Sequence, residues 1–100
     1  MVELGIIHGS SNNNKINIDK INNTSGYILR CLATYTEGTL PTTVLLDGNA
    51  FLLIGFSSVI NQQQLTYGVQ MAIGFGSNKI AIRNANYNTS GSVWSAWRAI

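Results

Sequence analysis

Apolar and polar residues alternate along several short segments of this chain, and such alternation predicts β-strands. The clearest example is Tyr67–Ile73, where aliphatic side chains recur at every second position and Gly68, Gln70 and Ala72 stand between them. Lys79–Arg83 repeats the pattern, with its two isoleucines on one side. No segment shows a helical period of useful length. The pattern therefore predicts a mostly β domain, a small antiparallel β-sandwich of six to eight short strands.

Other segments rich in β-formers complete this prediction. They are Val2–Ile7, Lys15–Asp19, Tyr27–Tyr35, Val44–Leu46, Ala50–Ile54 and Val93–Ile100. Asp47–Asn49 contains an Asp-Gly step between apolar runs, which predicts a tight hairpin turn. The polar segments between the strands are expected to be exposed loops, namely Thr36–Thr43, Ser57–Gln64 and Asn84–Ser92.

The chain has the length of one domain, since 100 residues suffice to bury a single core. Residues 9–14 are glycine, serine and asparagine only, the composition of a linker or exposed loop. We therefore expect residues 1–14 to be an N-terminal attachment segment or linker, followed by one β domain over residues 15–100.

Charged residues are only 10% of the chain and its net charge is +2, so uncharged polar side chains supply most of the polarity. Nucleic-acid binding requires a clustered basic face, but the basic residues here are scattered. They are Lys15, Lys20, Arg30, Lys79, Arg83 and Arg98. No window approaches the roughly 20 apolar residues that span a bilayer, and no signal peptide is evident. We expect neither nucleic-acid binding nor membrane insertion.

The residues that carry catalysis or bind metals are few and dispersed. Cys31 is the only cysteine, so no intrachain disulfide can form, and His8 is the only histidine. The four acidic residues are far apart and lie in no catalytic motif. The sequence therefore predicts no catalytic residue, no metal site, no cofactor and no enzymatic activity. A chain without disulfides is consistent with assembly in a reducing cytoplasm.

Aromatic and amide side chains remain as candidates for binding. Sugars stack on aromatic faces and form hydrogen bonds with amide and guanidinium groups. The candidate glycan-binding residues are Trp94, Trp97, Tyr87, Arg83 and Asn86. Packing is the alternative role for both tryptophans, because large aromatic residues dominate small cores. On a regular strand the two indoles face opposite sides, which predicts that one is buried. A cation–π contact with an indole is the alternative role for Arg83.

Four segments together resemble a known family, the pyocin-knob-type domains of phage tail fibres. Asp19–Tyr27 is similar to the opening of these domains, which leads through a Ser/Thr turn to Gly-Tyr. Gln70–Ile73 resembles a later strand that begins with Gln, and Lys79–Arg83 the next strand, which ends in Arg. Ser90–Arg98 matches the closing Gly-x-x-Trp-x-x-Trp element. The resemblance follows the order of the family over residues 19–100, although residues 40–65 carry no family signature.

The resemblance implies a knob-like domain of a phage or prophage virion that binds a bacterial surface glycan or protein without covalent chemistry. It also implies a homo-oligomer, with a trimer favoured, in contact with other virion proteins. The protein would be assembled in the bacterial cytoplasm and located at a tail fibre or the particle surface. Two alternatives stay open: a virion decoration or head-fibre protein without a receptor role, and a free-standing carbohydrate-binding module.

Overall fold

The computed structural model of the protein describes residues 3–8, 15–45, 50–61, 64–85 and 94–100. Tyr87, Asn86, the predicted turn at Asp47–Asn49 and the predicted linker at residues 9–14 lie outside the described residues. Within the predicted attachment segment, Glu3–His8 pairs with the main sheet as an edge strand.

The described residues form eight strands and one turn of 3-10 helix, which confirms the predicted mostly β fold. The strands are β1 (Glu3–His8), β2 (Ile16–Asn17), β3 (Asn23–Leu32), β4 (Thr36–Glu37), β5 (Ala50–Asn61), β6 (Gln64–Gly74), β7 (Ile80–Ala85) and β8 (Arg98–Ala99). A six-stranded sheet has the order β1-β3-β5-β6-β7-β8, and β2 and β4 form a small second sheet. Strand β1 is parallel to β3 and β2 to β4, whereas all other pairs are antiparallel.

Several predicted boundaries were wrong. The predicted loop Ser57–Gln64 is largely strand, because β5 and β6 form a long hairpin that extends as far as Asn61 and Gln64. Val44 lies in a turn and not in a strand. The strand predicted over Tyr27–Tyr35 ends at Leu32 and continues as the 3-10 turn. Of the described residues in the predicted last strand, Arg98–Ala99 form a strand, which pairs with β7.

The two faces of the main sheet differ in what covers them. One face, the covered face, packs against residues 15–22, 38–45 and 94–97. On β6 its side chains are Gln70 and Ala72 between two glycines, and on β7 they are Ala81, Arg83 and Ala85, all of them buried. The larger core residues on this face come from the other strands and the covering segments, and include Tyr27, Leu29, Phe51, Leu53, Ile18 and Val44.

Small residues on β6 let the covering segments approach the sheet closely. A Cβ atom added to Gly68 would lie 2.6 Å from Cη2 of Trp94, and one added to Gly74 would collide with the carbonyl oxygen of Val44. Trp94 and the turn at Val44 therefore fit on this face only because these two positions carry no side chain.

The opposite face, which we call the open face, carries the larger aliphatic side chains of β6 and β7. It consists of Ile28, Leu52, Ile54, Phe56, Val69, Met71, Ile73, Ile80 and Ile82. Each of these side chains is half-buried or exposed. The alternation predicted on β6 is thus confirmed, but its more apolar side is the one that the described residues leave uncovered.

Candidate functional site

Arg83 lies on the covered face, in contact with both tryptophans. Strand β7 directs this side chain into the interior, where its exposure is 0%. Its guanidinium carbon lies 4.4 Å from the ring centre of Trp94 and 4.6 Å from that of Trp97. Both contacts have cation–π geometry, which stabilises a desolvated guanidinium. The predicted stacking of Arg83 on an indole is confirmed, and it involves both rings.

The charge of Arg83 is paired with Asp19, from the turn that follows β2. Arg83 Nη2 donates to Asp19 Oδ1 at 2.7 Å. The carboxylate also accepts from the backbone N–H and the hydroxyl of Thr39, at 3.0 and 3.1 Å to Oδ2. Arg83 Nη1 is buried without a hydrogen-bond partner among the described residues. One ion pair and two aromatic faces therefore compensate for the cost of burying this charge.

A directed chain of hydrogen bonds extends from Arg83 across the sheet. Arg83 Nε donates to Gln70 Oε1 at 2.9 Å, and Gln70 Nε2 donates to the Tyr27 hydroxyl at 3.0 Å. The Ser57 hydroxyl donates to the carbonyl oxygen of Ile21, so the Tyr27 hydroxyl donates to Ser57 Oγ, 2.9 Å away. Because arginine is only a donor, it dictates the orientation of the Gln70 amide, whose Nε2 therefore faces the Tyr27 hydroxyl.

The indole N–H groups join the C-terminal segment to the covering loops. Trp94 Nε1 donates to the carbonyl oxygen of Asp19 at 3.1 Å, and Trp97 Nε1 donates to that of Thr39 at 2.8 Å. We call the group of side chains described in these paragraphs the arginine cluster. Its members are Asp19, Tyr27, Ser57, Gln70, Arg83, Trp94 and Trp97.

Burial shifts the pKa values of titratable groups on the covered face. It raises the pKa of Tyr27, although hydrogen bonds with Ser57 and Gln70 and the charge of Arg83 oppose the shift. It lowers the pKa of Arg83, and Asp19 opposes that shift through a hydrogen bond and its charge. Burial also raises the pKa of the Cys31 thiol to about 12. A thiol with such a pKa remains protonated and unreactive near neutral pH.

The described residues of the predicted glycan site, Arg83, Trp94 and Trp97, contact one another in the structure. Arg83 contacts Asp19, Gln70 and the two indoles, and no part of it reaches the solvent. Trp94 and Trp97 are half-buried, and both face Arg83. The prediction that the two rings face opposite sides was wrong, because residues 94–97 do not form a strand. Glycan contact by Trp94, Trp97, Tyr87 and Asn86 stays a prediction.

The open face contains a shallow apolar groove of about 380 Å³. Ile28, Ile54, Met71 and Ile82 occupy neighbouring positions across four strands and form its floor. Phe56 borders the groove with 39% of its surface exposed, and its ring meets that of Tyr67 edge-on at 6.2 Å. Arg98, which is exposed, lies on the edge strand β8, whereas the exposed Arg30 lies beside Leu52 on β3, between β1 and β5. Such a surface is suited to contact with apolar groups and offers few groups for polar recognition.

Two features of these sites were not predicted. The pairing of Asp19 with Arg83 joins residues 64 positions apart, and no local pattern signals it. The open face was visible in the alternation of β6 and β7, but the alternation does not tell which face is covered.

The described part of the chain contains no group of three or more His, Cys, Asp or Glu residues placed to hold a metal ion. Nor do the described residues include a helix long and apolar enough to cross a membrane.

Comparison of the chain with protein-family models, with curated proteins and with solved structures found no match.

Proposed function

We propose that this protein is a knob-like structural and receptor-binding module of a phage or prophage virion, which adheres without covalent chemistry to a bacterial surface glycan or protein. In this proposal the module acts as a homo-oligomer, with a trimer favoured, and carries out no reaction of its own. It is assembled in the bacterial cytoplasm and contacts other proteins of the particle.

One observation carries the proposal: residues from all four resembling segments meet in the arginine cluster. These residues are Asp19, Tyr27, Gln70, Arg83, Trp94 and Trp97. They are dispersed over most of the sequence, yet each contacts at least one of the others. A chance likeness of short motifs does not require their residues to meet, whereas a shared fold core does. The cluster thus supports a common architecture for the residues that carry the resemblance.

Binding of the purified chain to bacterial surface polysaccharides tests the receptor-binding role. We expect saturable binding to members of a panel of lipopolysaccharides and capsular polysaccharides, measured by biolayer interferometry. Tyr87→Ala should weaken that binding, whereas Thr42→Ala, at an exposed turn residue, should not. Absence of binding across a broad panel and to whole bacterial cells would contradict the receptor role.

The open face favours a second candidate, a virion decoration protein without a receptor role. A sheet that leaves its larger aliphatic side chains uncovered is suited to packing on another protein surface. This candidate predicts that the chain remains bound to purified particles through washing, and that it binds no polysaccharide.

A further inference from the structure

We infer that a neutral saccharide binds at one end of the main sheet, where Phe56 and Tyr67 form an exposed aromatic pair. We call this place the aromatic end, and it consists of Phe56, Ser58, Tyr67 and Asn84. The inference rests on the proposed function in one respect, because it names a site for the glycan proposed there. It shares no residue with the glycan site that the sequence predicted.

The two rings of the aromatic end are accessible to a ligand. Phe56 has 39% of its surface exposed and Tyr67 has 42%. Their ring centres lie 6.2 Å apart and their planes meet at 61°, so the contact is edge-on. In such a contact the edge of one ring meets the face of the other, and each ring therefore keeps at least one face that the other does not cover.

Polar side chains accompany the aromatic pair on the same side of the sheet. Ser58 lies directly opposite Tyr67, and Asn84 lies opposite Val69, two residues along β6 from Tyr67. None of the described residues forms a hydrogen bond with the hydroxyl groups of Ser58 and Tyr67 or with the side-chain amide of Asn84. Each of these groups can both donate and accept hydrogen bonds to a ligand.

This combination of groups matches the two kinds of surface on a pyranose ring. The C–H groups on the face of such a ring pack on aromatic side chains, while its hydroxyls donate and accept hydrogen bonds. None of the four residues carries a charge, which favours neutral sugars over acidic ones. The floor of the neighbouring groove is aliphatic and offers no side chain that bonds a hydroxyl. A saccharide is therefore expected at the aromatic end and not along the groove.

The arginine cluster anchors the backbone that carries this site. Ser57 follows Phe56 in β5, and its hydroxyl bonds with that of Tyr27 on the covered face, 2.9 Å away. Arg83 precedes Asn84 in β7 and is fully buried. Residues that alternate with the aromatic end along two strands are thus fixed on the opposite side of the sheet. A site held in place before binding loses little conformational entropy when it binds a ligand.

Titration with neutral hexasaccharides, followed by two-dimensional NMR of the labelled chain, tests this inference. The probes are hexasaccharides of glucose, galactose, mannose and N-acetylglucosamine. We expect at least one of them to shift the amide signals of Phe56, Ser58, Tyr67 and Asn84 in a saturable manner. The signal of Phe75, which follows the other end of β6, should not move.

Two conservative variants show whether the ring and the hydroxyl make the contacts. Phe56→Leu keeps an apolar side chain but removes the ring, and it should weaken binding at least about tenfold. Tyr67→Phe removes only the hydroxyl and should weaken binding about three- to tenfold. The matched control is Phe75→Leu, the same exchange at a phenylalanine that is 46% exposed outside the site, and it should leave the affinity unchanged. Circular dichroism establishes that each variant is folded.

The outcomes separate this inference from the proposed function. Binding of none of the four hexasaccharides, or binding that folded Phe56→Leu and Tyr67→Phe both leave unchanged, would overturn the inference. A chain that binds a hexasaccharide at the aromatic end but adheres to no bacterial surface supports the inference and contradicts the receptor role. Adhesion to bacteria that persists undiminished in both variants has the opposite meaning.

Discussion

The guanidinium of Arg83 is a fully buried charge whose neighbours come from three separate segments of the chain. Asp19 supplies the counter-charge, Gln70 accepts from Nε, and the rings of Trp94 and Trp97 both contact the guanidinium. A planar guanidinium can form the ion pair, donate from Nε and contact the aromatic rings at the same time, whereas a lysine ammonium cannot.

Arg83→Lys should therefore be strongly destabilising even though it preserves the charge. Lysine can still approach Asp19, but Gln70 Oε1 loses its donor and both indoles lose their contact with the guanidinium. Leaving a buried acceptor unpaired and weakening a buried ion pair should lower the free energy of unfolding by about 2–4 kcal/mol. Urea denaturation followed by circular dichroism measures this loss.

The matched control is Arg30→Lys, which makes the same exchange at an exposed position on the main sheet. It should change stability by less than about 0.5 kcal/mol. Equal effects of the two substitutions would show that the arginine cluster contributes no more than a surface residue does.

The buried Cys31 and Tyr27 predict a loss of stability at alkaline pH. The pKa of Cys31 rises from 9.0 to about 12 on folding, and that of Tyr27 rises above 10.0. Above about pH 9 the unfolded chain releases these protons while the folded chain keeps them, so the unfolded state binds fewer protons and stability falls as pH rises. The Cys31 contribution is fully present below pH 9 and is lost as pH approaches 12.

The expected loss due to Cys31 alone is about 2 kcal/mol between pH 8 and about pH 10.5. Urea denaturation at both pH values measures it, and Cys31→Ala should show a shallower pH dependence because the thiol is gone. A pH dependence identical in the wild type and in Cys31→Ala would contradict a raised pKa at this site.

At the scale of single residues, the sequence indicated the chemistry of the site better than its geometry. A cation–π contact with an indole was one of the two roles that the sequence offered for Arg83. Its salt bridge to Asp19 did not, because a contact over 64 positions depends on how the covering loop folds over the sheet. The position of the Trp94 indole depends on the gap that Gly68 leaves, which is a property of packing.

At the scale of the strands, the alternation predicted which residues of β6 and β7 share a face, but it did not predict which face is buried. Hydropathy alone would assign Val69, Met71 and Ile73 to the core. The structure buries the opposite side because glycine and alanine there let the covering segments approach the backbone. The parallel pairs β1–β3 and β2–β4 were not predictable either, because alternation carries no information about strand direction.

Because the less apolar face of β6 and β7 is the buried one, we expect larger side chains on that face to lower the stability of the protein. Ala72→Leu inserts three carbon atoms where the covering segments already contact the sheet, and it should lower stability by about 1–3 kcal/mol through overpacking. Val69→Leu adds one carbon on the half-buried open face and should change stability by less than about 1 kcal/mol. Thermal unfolding of the two variants provides the comparison, and a larger loss for Val69→Leu would show that the faces have been assigned the wrong way round.

At the scale of the whole molecule, the arginine cluster connects segments that are remote in sequence. The turn at Asp19, the strands β3, β5, β6 and β7, and the C-terminal segment all contribute a member. A hydrogen-bonded network of this kind stabilises each segment only while the others are in place. The covered face and the main sheet should therefore unfold together.

This coupling is testable because both tryptophans belong to the cluster, while the far-ultraviolet circular dichroism signal reports on the sheet. In urea, tryptophan fluorescence and circular dichroism should give the same midpoint, as expected for a two-state transition. Asp19→Asn removes the counter-charge of Arg83 and should move both midpoints down together. If the fluorescence midpoint of the wild type fell well below that of circular dichroism, the C-terminal segment would be detaching on its own. The arginine cluster would then stabilise only the attachment of that segment, and the sheet would remain folded without the cluster.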